Sequence, residues 1–141
     1  MWCRSGRRPV SELQRAISIR QPWAWAVIHV GKDCENRSAT APRQFKSAVG
    51  QRVLIHASSH RLNRADRTAA VAYLKERGVA YPSPSDLMYG GVIGSVLVTG
   101  IVTRHCSPWF HGPYAPVFAD PRPEPFMSAK GEVGLFRVQA P

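Results

Sequence analysis

The stretch Ile17 to Arg37, ISIRQPWAWAVIHVGKDCENR, obliges the backbone to change its habit twice in quick succession. Ile17-Ser18-Ile19-Arg20 alternates apolar and polar residues, the period of a half-buried strand. Pro22 lacks the N–H that a strand ladder needs and suits the first turn of a helix. Trp23, Ala24, Ala26, Val27 and Val30 then supply an apolar helical face, and Gly31 stands where a helix would end. Lys32-Asp33-Cys34-Glu35-Asn36-Arg37 follows. In an extended segment Glu35 and Arg37 share a face, with Lys32 at the bend beside them. Together with Arg20 and Gln21 from the preceding turn, these groups are expected to line one polar cleft.

The rest of the chain divides at similar signals. Ser38 to Gln51 is expected to be a loop, with Arg43 and Lys46 as its cations. Arg52 to Ala57 reads as a buried strand. A helix is predicted from about His60 to Arg77, with Leu62, Ala65, Ala69, Val71, Tyr73 and Leu74 inward and Gly78 after its end. Ser83-Pro84 is placed to start a short helical turn. Val92 to Thr103 reads as a core strand in which Gly94 and Gly100 permit bulges. His105 to Pro116 is an aromatic loop, Val117-Phe118-Ala119 a short strand, Asp120 to Pro125 a proline-broken edge, and Val133 to Val138 the closing strand. No internal repeat or second domain is visible. The expected organisation is a flexible basic arm over residues 1–15 and one domain over 16–141.

Charge narrows the class of partner. Nineteen Lys and Arg against nine Asp and Glu give +10, which favours a polyanion. No run approaches the ~18 apolar residues of a membrane span, and the Arg-rich start does not resemble a secretory signal. Three scattered cysteines, Cys3, Cys34 and Cys106, fit a reducing compartment, so a cytoplasmic location is expected.

Several side chains have the right chemistry for a site. Lys32 with Glu35 can move a proton or steady a developing oxyanion; the same pair can simply pin the helix exit. Trp23, Trp25, Trp109, Phe110 and Tyr114 can stack bases, although Trp23 and Trp25, two apart on a helix, point to different faces. Trp109 is carried by a loop and suits base contact or a plug over the core. His56 suits a phosphate contact or a satisfied strand end. His56 and His60 have the spacing of zinc ligands on a helix, but His56 reads as a strand end; His105, Cys106 and His111 lie close in sequence without a CxxC or HxxxH pattern, and neither a metal nor a cofactor is expected.

The SIRQPWA opening and the GKDCENRS after the helix resemble the ASCH domain family. That family's core run is Gly-x-Lys-x-x-Glu-x-Arg, from which Gly31 departs by one position. Further similar segments are Leu54-Ile55-His56-Ala57, Gly90-Gly91-Val92-Ile93-Gly94 and Ser107 to Tyr114, so the resemblance runs from about Ala16 to Val138. Relatives usually carry a Trp soon after Asn-Arg-Ser, where this chain has Ala39 and Thr40. The resemblance implies an α+β fold, a small PUA-like β-barrel with flanking α-helices, and a link to RNA as a binding module or hydrolase. Single-stranded RNA or an unpaired nucleotide is the partner expected. Arg20, Gln21, Lys32, Arg37, His56, Trp109 and Tyr114 would hold it. The alternative is a hydrolase in the same cleft, a ribonuclease or an amidohydrolase of an acylated or modified nucleoside, with Lys32, Glu35 and Tyr114 as catalytic candidates. In the branch similar to N4-acetylcytidine amidohydrolases a Thr nucleophile follows the Lys by three positions, and here that position holds Glu35.

Overall fold

The computed structural model describes residues 13–38 and 43–139, and within them the chain is α+β. Five strands form one mixed sheet: β1 (Gln14–Ile19), β2 (Arg52–Ala57), β3 (Gly91–Val102), β4 (Ala115–Ser128) and β5 (Leu135–Val138), in the order β4-β3-β2-β1-β5. β1 and β2 are parallel, and the other neighbours are antiparallel. The parallel pair needs a crossover, which contains α1 (Trp23–His29), the Lys32–Arg37 segment and α2 (Arg43–Lys46). The third helix, α3 (Arg64–Glu76), connects β2 towards β3, with a short 3₁₀ turn at Pro84–Asp86.

Strand alternation builds a core on each face of the sheet. Ile17, Ile19, Val53, Ile55, Val96 and Val98 pack with Ala24, Val27 and Ile28 of α1 and with Phe45 of α2. The intervening residues Ala16 and Leu54 turn the other way and join Val92, Phe136 and Val138. Met127 of β4 packs against this second cluster, so the two edges of the sheet share one apolar group. No ladder joins β4 to β5 among the described residues, and the pairings leave the sheet open.

Several elements depart from their expected bounds. β1 starts at Gln14, so Arg15 belongs to the sheet rather than to an arm; its guanidinium donates to Ser47 Oγ and Gln51 Oε1, both at 2.7 Å. The remainder of the expected arm, residues 1–12, and Ala39 and Thr40 lie outside the described residues. The loop expected from Ser38 to Gln51 contains α2, whose Phe45 is buried. α3 begins later than expected because Asn63 caps it, accepting a bond from Asp66 N at 2.8 Å. Its buried stripe is Ala70 and Leu74 with half-buried Tyr73, whereas Ala65, Ala69 and Val71 are exposed. β4 continues through Pro121, Pro123 and Pro125 where a break was expected. β4 is an edge strand, and prolines at every second position keep the missing N–H groups on one side, where no ladder needs them. Gly94 does sit at a bulge: a Cβ there would come within 2.6 Å of Arg122 O and Ile28 Cδ1.

Candidate functional site

The parallel pair β1 and β2 ends at the same rim of the sheet at which β3 starts, β4 finishes and β5 starts. Residues 129–134 then run from one edge strand to the other across that rim. Beneath this link lies a cleft of about 720 Å³, within the range typical of small-ligand sites. Its lining comes mostly from strand ends: Ser18 in β1 and Arg20 after it, His56 in β2 and Ser58 and Ser59 after it, Gly90 before β3, Ser128 at the end of β4 and residues 129–134 of the link, with Arg37 from the segment after α1. Open sheets place ligands at the carboxyl ends of parallel strands for the same geometric reason.

Three cations face the cleft, Arg20, Arg37 and Lys130, against one carboxylate, Glu132. Arg37 is the best placed of them. Its backbone bridges to Tyr114, with Arg37 N donating to Tyr114 O at 2.9 Å. Its guanidinium lies 5.2 Å from the Phe45 ring centroid, and Nη2 donates to Ser18 O at 3.4 Å. Its Nε is buried and has no hydrogen-bond partner among the described residues.

Register makes the floor of the cleft. Ser18 and His56 are paired across β1 and β2, so both side chains emerge on the same face. Ser18 Oγ is 3.0 Å from His56 Nδ1, and His56 Nε2 is 2.6 Å from Ala129 O. A carbonyl only accepts, so Nε2 carries the proton; in the neutral ring Nδ1 then accepts from the Ser18 hydroxyl. Phe136 meets the imidazole edge-on at 5.5 Å between ring centroids. Gly131 closes over both groups: a Cβ there would lie 2.7 Å from His56 Cε1 and 3.0 Å from Ser18 Oγ.

The expected site residues thus separate into two sets. Arg20, Arg37 and His56 meet in the cleft, and the others are elsewhere. Gln21 is buried as a structural link, donating to Met88 O at 2.9 Å and accepting from Trp25 N at 2.8 Å. Lys32 is 5% exposed; its Nζ reaches Glu35 at 2.9 Å and Cys34 O at 2.5 Å, beside a small recess walled by Val27, Val96 and Phe118. Glu35 does not line the cleft. Trp109 and Tyr114, only 6% and 4% exposed, belong to the core. Trp109 packs with Leu74, Cys34 and Ala115, and Asn36 fastens its loop by donating to Trp109 O and accepting from His111 N and Gly112 N. The aromatic loop is therefore a plug between α3 and the Lys32–Arg37 segment. Trp23 packs edge-on against Tyr73, and Trp25 is half-buried beside His29.

Sequence reasoning missed Ser18, Ser58, Ser59, Lys130 and Glu132. For Ser18 the available signal was its place in the alternating Ile17–Arg20 run, which puts it on the same strand face as Arg20. Among the described residues no group of three or more His, Cys, Asp or Glu side chains could hold a metal ion, and no helix is long and apolar enough to cross a membrane. Cys34 is buried, and burial, only partly offset by Lys32, pushes its thiol up to about 11, while Cys106 is exposed.

No family model matches the chain, and no curated protein matches it.

Proposed function

We propose that this chain is an ASCH-type RNA-binding protein that holds an unpaired nucleotide of single-stranded RNA in the Arg20–Arg37–Lys130 cleft. The observation that carries this reading is the convergence of those three cations on a concave site that, among the described residues, has a single carboxylate in its lining. Cations at fixed positions hold phosphates, and a site of this volume suits one splayed nucleotide better than a duplex. The hydroxyls of Ser18, Ser58 and Ser59 offer donors and acceptors to a ribose 2′-OH or a base edge. Among the described residues no Trp, Tyr or Phe lines the cleft, so recognition here rests on hydrogen bonds and charge rather than stacking. The PUA-like barrel belongs to the same proposal: the shared cluster of Met127 and Phe136 supports a sheet that curls towards closure.

A second reading draws on one observation, the Ser18–His56 pair. A hydroxyl that donates to an imidazole held by a third group is the arrangement of an activated nucleophile. It supports a hydrolase acting on an acylated nucleoside in the same cleft. Ser18 Oγ would attack the carbonyl, His56 would take the hydroxyl proton and pass it to the leaving group, and water would then release the acyl group.

The test is a gel assay with end-labelled single-stranded RNA, reading shift and cleavage together, beside an Arg20→Ala/Lys130→Ala variant. A salt-sensitive shift with intact RNA that weakens in the variant is expected. No shift at low salt would overturn the RNA reading. Turnover of an N-acylated nucleoside that disappears in Ser18→Ala would replace it with the second.

A further inference from the structure

Next to the cleft lies a second concavity that the sequence motifs do not touch. It measures about 360 Å³ and is walled by Arg61, Arg67, Tyr81, Pro82, Pro84 and Tyr89. The Arg61 guanidinium carbon stands 4.0 Å from the Tyr89 ring centroid, and that of Arg67 5.4 Å from the Tyr81 centroid. Among the described residues no acidic side chain lines the pocket. The nearest carboxylate in sequence among the short-turn residues, Asp86, is engaged by Ser83, accepting from its N at 3.2 Å and its Oγ at 2.8 Å. Neither arginine makes an ion pair among the described residues.

The two concavities are joined through the backbone. Ser59 lines the cleft and Arg61, two residues on, lines the pocket; Gly90 lines the cleft and Tyr89, its neighbour, lines the pocket. A chain molecule leaving the cleft between Ser59 and Gly90 meets two guanidinium groups held over two phenol rings. A guanidinium stabilised on one side by a ring can carry a base on its other side while its edge holds a phosphate.

Resting on the RNA reading above, we propose that this pocket is a second nucleotide subsite, which takes the base and phosphate that flank the nucleotide in the cleft. The cleft reads one nucleotide by hydrogen bonds, and the Arg61/Arg67/Tyr81/Tyr89 pocket supplies the stacking that the cleft lacks. Binding therefore requires a strand rather than a free nucleotide for full affinity.

The experiment measures affinities of the full chain for a fluorescently labelled mononucleotide and for a ten-residue oligoribonucleotide, by fluorescence anisotropy, for wild type and an Arg61→Ala/Arg67→Ala variant. Both side chains are exposed, and the mononucleotide, which the cleft alone can hold, reports whether the variant's cleft is intact. The expected result is tighter wild-type binding of the strand than of the mononucleotide, with a loss of about 10-fold for the strand in the variant, as one stacked base would give. Mononucleotide affinity should stay unchanged. Unchanged affinity for the strand, or an equal loss for both ligands, overturns the subsite and leaves the cleft reading standing. Binding of neither ligand by wild type overturns the RNA reading itself, and the subsite with it.

Discussion

Ser18 and His56 occupy the same register position on two parallel strands, with Ser18 Oγ 3.0 Å from His56 Nδ1. The other imidazole nitrogen is tied to Ala129 O, so β1, β2 and the β4–β5 link meet in one hydrogen-bonded row. The floor of the cleft is thus tied to the sheet through both imidazole nitrogens, while Arg20 and Lys130 at its rim are exposed.

Gly131 is where this row is most sensitive. A methyl group there would press on His56 and Ser18, neither of which can withdraw without losing a bond. Gly131→Ala is expected to destabilise the fold by about 1–3 kcal/mol, the usual cost of overpacking, and to weaken RNA binding as well. Denaturant unfolding and anisotropy measure the two effects; an unperturbed variant would mean that the link yields easily.

Lys32 should separate stability from binding. Its Nζ is buried against Glu35 and Cys34 O, away from the cleft. Lys32→Ala leaves a part-buried carboxylate without its cation and is expected to cost about 1–3 kcal/mol, below the 3–5 of a fully buried pair. RNA affinity, measured where the variant is folded, should be unchanged. A selective loss of affinity with normal stability would place Lys32 in the binding surface.

Much of the fold was legible because strand period and breakers are local. β2 falls on its expected residues, and Gly31, with φ +79°, follows α1 in the left-handed conformation that glycine favours. The positions of Arg20 and His56 in the cleft were also legible, since each stands at a strand end, while Arg37 was read from its place in the Lys32–Arg37 segment. The failures are all tertiary. Trp109 and Tyr114 read as binding aromatics because they sit in a loop, but Asn36, remote in sequence, folds that loop into the core. Lys32 and Arg37 read as one constellation because they are five residues apart, yet they point into different recesses. Lys130 carries no local mark; only the passage of residues 129–134 across the sheet brings it to the cleft.

Asn36 is therefore expected to matter more than its type suggests. Its side chain makes three bonds to the Trp109–Gly112 backbone, at 3.0, 2.7 and 3.2 Å. Asn36→Ala leaves these groups to find water, at about 1–3 kcal/mol for the buried ones. It should raise hydrogen exchange across residues 107–114. Unaltered exchange there would show that packing of Trp109 alone holds the plug.

Alkaline pH should weaken the fold through Cys34. Its folded thiol holds its proton to about 11 against an ordinary 9.0, so the folded state binds the proton more tightly than the unfolded one. Stability is unaffected while both states stay protonated and falls as pH rises from 9 towards 11. Tyr73 and Tyr81, also raised by burial, act in the same direction. Cys34→Ala should lose less stability than wild type between neutral pH and about pH 10, as read from urea midpoints. Equal losses would exclude Cys34 as a source of that dependence.

Salt should act on the cleft in a countable way. Three cations neutralising phosphates correspond to a slope of about −2 in log affinity against log salt for a single strand, and Arg20→Ala should reduce its magnitude by about 0.7. A flat response would remove the electrostatic part of the account.

The most direct measurement of where RNA binds is a ¹H–¹⁵N correlation titration of the protein with a single-stranded oligoribonucleotide. The largest shifts are expected at Ser18, Arg20, Arg37, Ser58, Ser59 and the 129–134 link, with little change around Lys32 and Trp109. Shifts centred on Lys32 and Trp109 instead, or no shifts at saturating RNA, would contradict this placement.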